Sequence, residues 1–194
     1  MNPSLKSPTD EQEPGPSEGE LIRRFAAGDH SAYHALVGPH VANMHALALR
    51  VLRDPGAADD AVQEAMIRAL HGLAEFRGDA SLRTWLLRIV ARLASEPRRL
   101  GRRAEQRPLD FELPDRVGPA PIEAAIGREL SDRLEEAIER LPPRQRSALH
   151  LRAAEGFDYE RIAAVLDCTR GAARMLVLEA RRKVMARMGR FLEP

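Results

Sequence analysis

Six histidines, His30, His34, His40, His45, His71 and His150, offer this sequence imidazoles for metal binding or proton transfer. Of these, His30 and His34 lie one helical turn apart. That pair reads better as a solvated face, because a metal site needs three or four converging donors. Cys168 is the single cysteine, so an internal disulfide and a multi-cysteine metal site are both excluded. Set among helix-forming apolar residues, it reads as a small buried hydrophobe. No phosphate-cradling glycine loop and no nucleophile motif occurs. The expectation is a protein that is not an enzyme, with no catalytic residues, no metal and no cofactor.

Recognition chemistry is better represented. In the string Asp59-Asp60-Ala61-Val62-Gln63-Glu64, Asp60 lies three or four residues from Gln63 and Glu64. On a helix these share a face, opposite much of the apolar stripe formed by Val62, Ala65, Met66, Ala69 and Leu73. Acids in a first helical turn also complement the macrodipole, so a purely local reading stands beside a docking one. Further on, Asp158 is placed to cap a short helix ending at Leu166, and Asp167-Cys168-Thr169 forms a turn. A longer helix then starts near Arg170, which gives a helix-turn-helix unit. Ala163 fits where its two helices approach closely. Arg170 and Arg174 fall one turn apart, near the end that such motifs present to base edges in the major groove. Arg181, Arg182, Lys183 and Arg187 follow, suited to phosphates or a protein partner. A purely structural helical pair would show the same spacing.

The elements that must position these residues are helical. Tyr33, Leu36, Val37, Val41, Met44, Ala48, Val51 and Leu52 recur at intervals of three and four, interrupted at Gly38-Pro39 and ending at Asp54-Pro55-Gly56. A second helix runs to between Gly72 and Gly78. A third carries Leu82, Trp85, Leu86, Ile89, Val90 and Leu93, with Asp79 or Ser81 as its cap. Trp85 reads mainly as a core anchor of that helix. Pro97 should end it, because proline removes a backbone donor and clashes with the preceding turn. Residues 98–127 read as a flexible linker, basic at Arg98, Arg99, Arg102, Arg103 and Arg107 and then broken by Pro108, Pro114, Pro119 and Pro121. Helical spacing resumes with Ile126, Leu130, Leu134, Ile138 and Leu141, and Pro143 opens the next helix. Strand-like alternation is absent, which predicts an all-α protein of two small helical domains.

The 194 residues carry a net charge of only +1, yet the charge is segregated. Asp10, Glu11, Glu13, Glu18 and Glu20 make an acidic head, whereas Arg170, Arg174, Arg181, Arg182, Lys183, Arg187 and Arg190 make a basic tail. An anionic partner at the C-terminal end follows from this. Apart from Lys6 and Lys183 every basic residue is arginine, whose planar fork suits phosphate and guanine. A GC-rich genome accounts for most of that bias. Residues 1–18 are proline-rich and poor in apolar side chains, so a disordered tail is expected. No apolar run reaches the 18 or so residues needed to span a bilayer, and the acidic start is unlike a signal peptide. A cytoplasmic protein without membrane insertion is expected. Two domains of about 70 residues would have thin cores, so they should be joined loosely or held by a partner.

The combination of strings is more specific than any single one. Asp54-Pro55, then Asp60-x-Val62-Gln63-Glu64, then Phe76-Arg77-Gly78-Asp79-Ala80-Ser81-Leu82-Arg83-Thr84-Trp85-Leu86, resembles region two of the sigma-70 family, in its extracytoplasmic-function (ECF) group. Leu141-Pro142-Pro143-Arg144-Gln145-Arg146, followed by Tyr159-Glu160-Arg161-Ile162-Ala163, is similar to region four of that group. The resemblance implies a transcription initiation factor that binds core RNA polymerase and directs it to promoter DNA. It implies that Asp60, Val62, Gln63 and Glu64 meet the clamp helices of the largest polymerase subunit. Phe76, Arg77, Gly78, Asp79, Ala80, Ser81 and Arg83 would melt and read the minus-10 element by capturing an unstacked base, at a cost of a few kcal/mol. Thr169, Arg170, Arg174 and Arg181, in a helix-turn-helix over about 158–178, would meet the minus-35 element, and region four would touch the polymerase flap. An anti-sigma factor is an expected partner. The implied domains are region two over 19–97 and region four over 128–190.

The departures bear on the upstream reader. Where the family usually has Gly-Thr-Val-Lys-Ser-Arg-Leu, this chain has Gly171-Ala172-Ala173-Arg174-Met175-Leu176-Val177. One basic position survives, and the hydroxyl and second arginine do not. Asp167 replaces a common glycine in the turn. The alternative is therefore a sigma-like interaction protein that occupies polymerase or an anti-sigma factor without reading promoters. An ordinary helix-turn-helix repressor would leave the first half without a purpose.

Overall fold

The computed structural model describes residues 16–96 and 121–189, and its regular elements there are all helical. In chain order they are α1 (Glu18–Ala26), α2 (Ser31–Val37), a 3-10 turn (Gly38–His40), α3 (Val41–Leu52), α4 (Pro55–Gly72), a second 3-10 turn (Leu73–Glu75), α5 (Leu82–Ala94), α6 (Pro121–Glu139), α7 (Pro143–Ala153), α8 (Tyr159–Leu166) and α9 (Arg170–Gly189). Residues 1–15 of the acidic head, Arg190, and the stretch from Pro97 through its arginines to Ala120 lie outside the described residues.

Short polar residues cap four of these helices. The side chains of Ser17, Asp54, Ser81 and Asp158 accept from the backbone N–H groups of Glu20, Ala57, Thr84 and Arg161. Each satisfies a donor that the first helical turn leaves without a partner. Ser81, not Asp79, caps α5. Pro55 and Pro143 occupy first helical positions, where the missing N–H is no loss. The same rule corrects the far end of the expected linker. Pro121 does not break the chain there; it is the first residue of α6, so the last positions of the 98–127 segment are helical. α5 stops at Ala94, ahead of Pro97.

The N-terminal half packs α3, α4 and α5 against one another, with α1 and α2 alongside. Met44, Leu47, Ala48, Val51 and Leu52 of α3 are buried against Leu82, Leu86, Leu87, Val90 and Leu93 of α5. α4 contributes Ala58, Ala61, Ala65 and Ala69, small side chains that let its neighbours approach closely. The buried Tyr33 hydroxyl donates to the Met66 carbonyl at 2.6 Å and ties α2 to α4. Asp29 clips α1 to α2. Its carboxyl is held down at about 2 by the Ser31 hydroxyl and the Arg24 guanidinium.

In the C-terminal half, Ala148, Leu151, Phe157, Ile162, Val165, Ala173 and Val177 gather between α7, α8 and α9. A smaller cluster, Ala137, Leu141, Ala180 and Val184, fixes α6 to α9. The expectation of loosely joined halves is not what the structure has. α3 packs on α7 and α5 packs on α8, and one contiguous apolar cluster runs through both halves. Each half alone is thin, and the face each leaves uncovered is closed by the other.

Candidate functional site

The first candidate surface lies on α4. The helix begins at Pro55, so Asp59 and Asp60 stand in its second turn, with no acid in the first. Macrodipole stabilisation fades within the first turn, so the local reading of these acids loses its ground. Asp60 and Gln63 are exposed. Glu64 is half-buried and accepts from Arg68 at 2.9 Å. Val62, at 6% exposure, lies in the core as the apolar stripe implies, and so offers little surface to a partner beside Asp60 and Gln63. Beside this face an apolar groove of about 500 Å³ runs between α3 and α4, walled by Val41, Leu49, Val62 and Met66. His45 and Asp59 meet on its wall at 3.1 Å.

The second surface is the loop before α5. Phe76 and Trp85 anchor it, with ring centroids 5.4 Å apart. Trp85 is half-buried, at the edge of the core and not within it, because Phe76 covers one side and Gly72 lies close beneath. A Cβ at position 72 would come within 3.1 Å of the indole. Arg77, Gly78, Asp79 and Ser81 are exposed and Ala80 is half-buried. Gly78 has φ +78°, which a side chain would strain. Arg83 does not join these residues. It turns across the seam to the C-terminal half, pairing with Glu155 and lying 5.3 Å from the Phe157 ring centroid.

The third surface is the helix-turn-helix. Asp167 takes the left-handed conformation, φ 50°, that turns α8 into α9. Cys168 is half-buried and its N–H donates to the Ala163 carbonyl, so it is less enclosed than expected. Thr169 is exposed, and its hydroxyl accepts from Ala172 N–H at 3.2 Å. Ala173, Val177, Ala180 and Val184 bury one seam of α9. Arg170, Arg174 and Arg181 stand exposed, with Arg170 3.7 Å from Glu160. Lys183 and Arg187 turn back to Gln145 and the Ala137 carbonyl, so they do not extend the exposed basic face. Met175 and Leu178 are 52% and 42% exposed, an apolar presence on this helix.

A polar seam between the halves was not foreseen. Asn43 of α3 donates to both Glu155 oxygens at 3.1 and 3.2 Å. The Glu155 side chain is only 3% exposed. His150 lies beside it at 3.6 Å, too far for a hydrogen bond. Burial pushes the His150 imidazole below its ordinary value; Glu155 opposes this and Arg50 adds to it. The neutral ring is therefore the folded form. A histidine with a depressed folded pKa lends full stability above the unfolded value of about 6.5, and loses it as pH falls through that value toward the folded one. The expected outcome is that the parent loses melting temperature between pH 7.5 and 5.5 faster than His150→Asn does. Parallel melting curves would refute it.

Among the described residues no group of histidine, cysteine, aspartate and glutamate could hold a metal, and no helix is long and apolar enough to cross a membrane. His30 and His34 are both exposed. An exposed carboxylate and amide face, a glycine-bearing loop and an arginine-bearing helix-turn-helix define a recognition protein built from helices.

The family model described as Sigma-70 region 2 matches residues 36–104, and that described as Sigma-70, region 4 matches residues 131–184. RNA polymerase sigma-H factor of Pseudomonas aeruginosa is 34% identical over 176 residues, 85% of this chain and 90% of that protein. ECF RNA polymerase sigma factor SigM of Mycobacterium tuberculosis is 32% identical over 176 residues, 91% of this chain and 85% of that one. ECF RNA polymerase sigma-E factor of Escherichia coli is 34% identical over 175 residues, 84% and 90% of the two chains. The solved complex of CnrH with the cytosolic domain of CnrY superposes with a TM-score of 0.61 at 26% identity, covering 86% of this chain and 93% of CnrH. Sigma factor RpoE bound to the anti-sigma factor NepR, from Bartonella quintana, also gives 0.61; at 23% identity it speaks to the fold alone. The chain belongs to the sigma-70 family of transcription initiation factors, in its extracytoplasmic-function group.

Proposed function

We propose that this promoter-directing initiation factor joins core RNA polymerase through the exposed face of α4 and reads DNA at two places. Asp60, Gln63 and Glu64 meet the clamp helices of the largest subunit. The loop at 76–81 takes an unstacked base of the minus-10 element, with Phe76 and Trp85 holding its ends. Thr169, Arg170, Arg174 and Arg181 meet the minus-35 element, and the C-terminal half touches the polymerase flap. Region two over 19–97 and region four over 128–190 are the working units, and the protein acts in the cytoplasm without catalytic chemistry of its own. The observation that carries the reading is the co-occurrence, in family order, of the exposed Asp60 and Gln63 face and the exposed Arg170 and Arg174 helix. An anti-sigma factor is the further partner we propose; CnrH, similar in fold and 26% identical, is itself seen in complex with a second protein, the cytosolic domain of CnrY.

Run-off transcription with core polymerase and a promoter library tests it. The expected result is discrete transcripts that depend on the added chain and share two upstream elements. A second reading, occupancy of polymerase or an anti-sigma factor without promoter reading, is favoured by the apolar Met175 and Leu178 on the reading helix. Stable capture of core enzyme with no transcript from any library member would select it.

A further inference from the structure

We propose that the turn Glu155-Gly156-Phe157 is an internal stand-in for a nucleotide, seated on Arg83 and Asn43 so that the free chain keeps part of its minus-10 surface shut. The inference rests on the proposed minus-10 role of the loop and on the part in it that the family resemblance implies for Arg83, which in this structure is turned to the seam. A nucleotide offers a basic site one anionic group and one flat ring. Glu155 and Phe157 offer the same two things to one guanidinium: the carboxylate pairs with Arg83, and the Phe157 ring centroid lies 5.3 Å from its Cζ. Asn43 adds a second donor to the carboxylate, as an amide does to a phosphate oxygen.

The turn is built to present both groups at once. Gly156 takes φ +70°, a conformation that favours glycine. Phe157 N–H donates to the Leu151 carbonyl at 3.0 Å, and Arg152 donates to the Phe157 carbonyl at 2.8 Å. Both side chains are thereby fixed, with Phe157 2% exposed and Glu155 3% exposed at the side chain. Among the described residues, the ion pairs across the seam also share one polarity. Arg50, Arg53 and Arg83 come from the N-terminal half, and Glu135, Glu139 and Glu155 from the C-terminal half. Arg88 adds a bond to the Ala164 carbonyl. A polyanion that reaches the N-terminal half competes with every one of these carboxylates for the same kind of arginine contact.

If only the open fraction of the chain binds DNA, apparent affinity is reduced by that fraction, and removing the internal competitor restores it. The test uses the full chain, a labelled single-stranded oligonucleotide of mixed sequence, and small-angle scattering on the same samples. Glu155→Gln keeps the size of the side chain and removes its charge. It should raise oligonucleotide affinity by about tenfold and enlarge the particle, whereas Arg83→Ala should lower affinity in either background. Asn43→Ala should act in the same direction as Glu155→Gln but more weakly, and it covers the case in which Glu155→Gln does not fold. A folded Glu155→Gln as compact as the parent, with unchanged affinity, would overturn the internal competitor and leave the minus-10 assignment standing through the Arg83→Ala loss. An expanded Glu155→Gln without gain in affinity, matched by an Arg83→Ala that binds normally, would overturn that assignment and the inference with it.

Discussion

Charge reversal on the α4 face, Asp60→Arg with Glu64→Arg, abolishes capture of core RNA polymerase and leaves the helical fold intact. Asp60 is exposed and Glu64 half-buried, on the side of α4 away from Ala58, Ala61, Ala65 and Ala69, so neither change opens a cavity. The local cost is small. Arg68 loses its partner at 64 and gains a like charge four residues away, an effect of about 0.2–0.5 kcal/mol. Surface substitutions elsewhere on such a helix usually stay within about 0.5 kcal/mol. At the polymerase the same reversal sets like charges against each other, which costs several kcal/mol, or about a hundredfold or more in affinity. Circular dichroism and immobilised core enzyme separate the two outcomes. A folded double variant captured at the parental level would remove α4 from the polymerase interface.

The contrast between that face and Arg83 shows what the sequence could and could not disclose. Helix starts at Ser81, Pro143 and Asp158 are legible because the signal lies within three or four residues, whereas Asp54-Pro55-Gly56 reads as the end of the preceding segment although Asp54 caps α4 and Pro55 opens it. The exposed Asp60 and Gln63 follow from the same short-range periodicity. Val62 follows from that periodicity too: the apolar stripe places it inward, and it is buried where α4 faces α3 across the groove. Pro121 was read as a breaker, although proline starts a helix as readily as it ends one. The seam was out of reach altogether. Arg83 and Glu155 are 72 positions apart, and nothing in the local pattern of either marks the other as its partner. What the sequence did hold was complementary charge, with Arg50 and Arg53 near the end of α3 and Glu135 and Glu139 near the end of α6. The loop composition around Glu155-Gly156-Phe157 suggested only a turn.

Upstream recognition should depend on Arg174, and Arg174→Ala should cost about 1 to 3 kcal/mol of base discrimination, roughly fivefold to 150-fold in preference. Arg174 is exposed one turn after Arg170 and flanks the buried Ala173, Val177 and Ala180 seam without being part of it, so its removal opens no cavity. Arg170 has Glu160 within 3.7 Å, which lowers its net positive field, and Thr169 already spends its hydroxyl on Ala172 N–H. That leaves Arg174 with the largest share of the base contact. The side chains of Met175 and Ala172 donate no hydrogen bond and can meet only a thymine methyl, so tolerance of upstream sequence should be greater than with a second basic residue there. Arg181→Ala is the control: an exposed arginine farther along α9 and suited to phosphate, its loss should weaken binding evenly across sequences and reduce the salt slope by about 1. Arg187→Ala should change neither, because Arg187 is engaged with the Ala137 carbonyl. Selection from a randomised promoter pool, with polymerase present, reads all three at once. If Arg174→Ala enriches the same upstream sequence as strongly as the parent, α9 does not read bases through Arg174, and its exposed Met175 and Leu178 point to a protein partner in place of the minus-35 element.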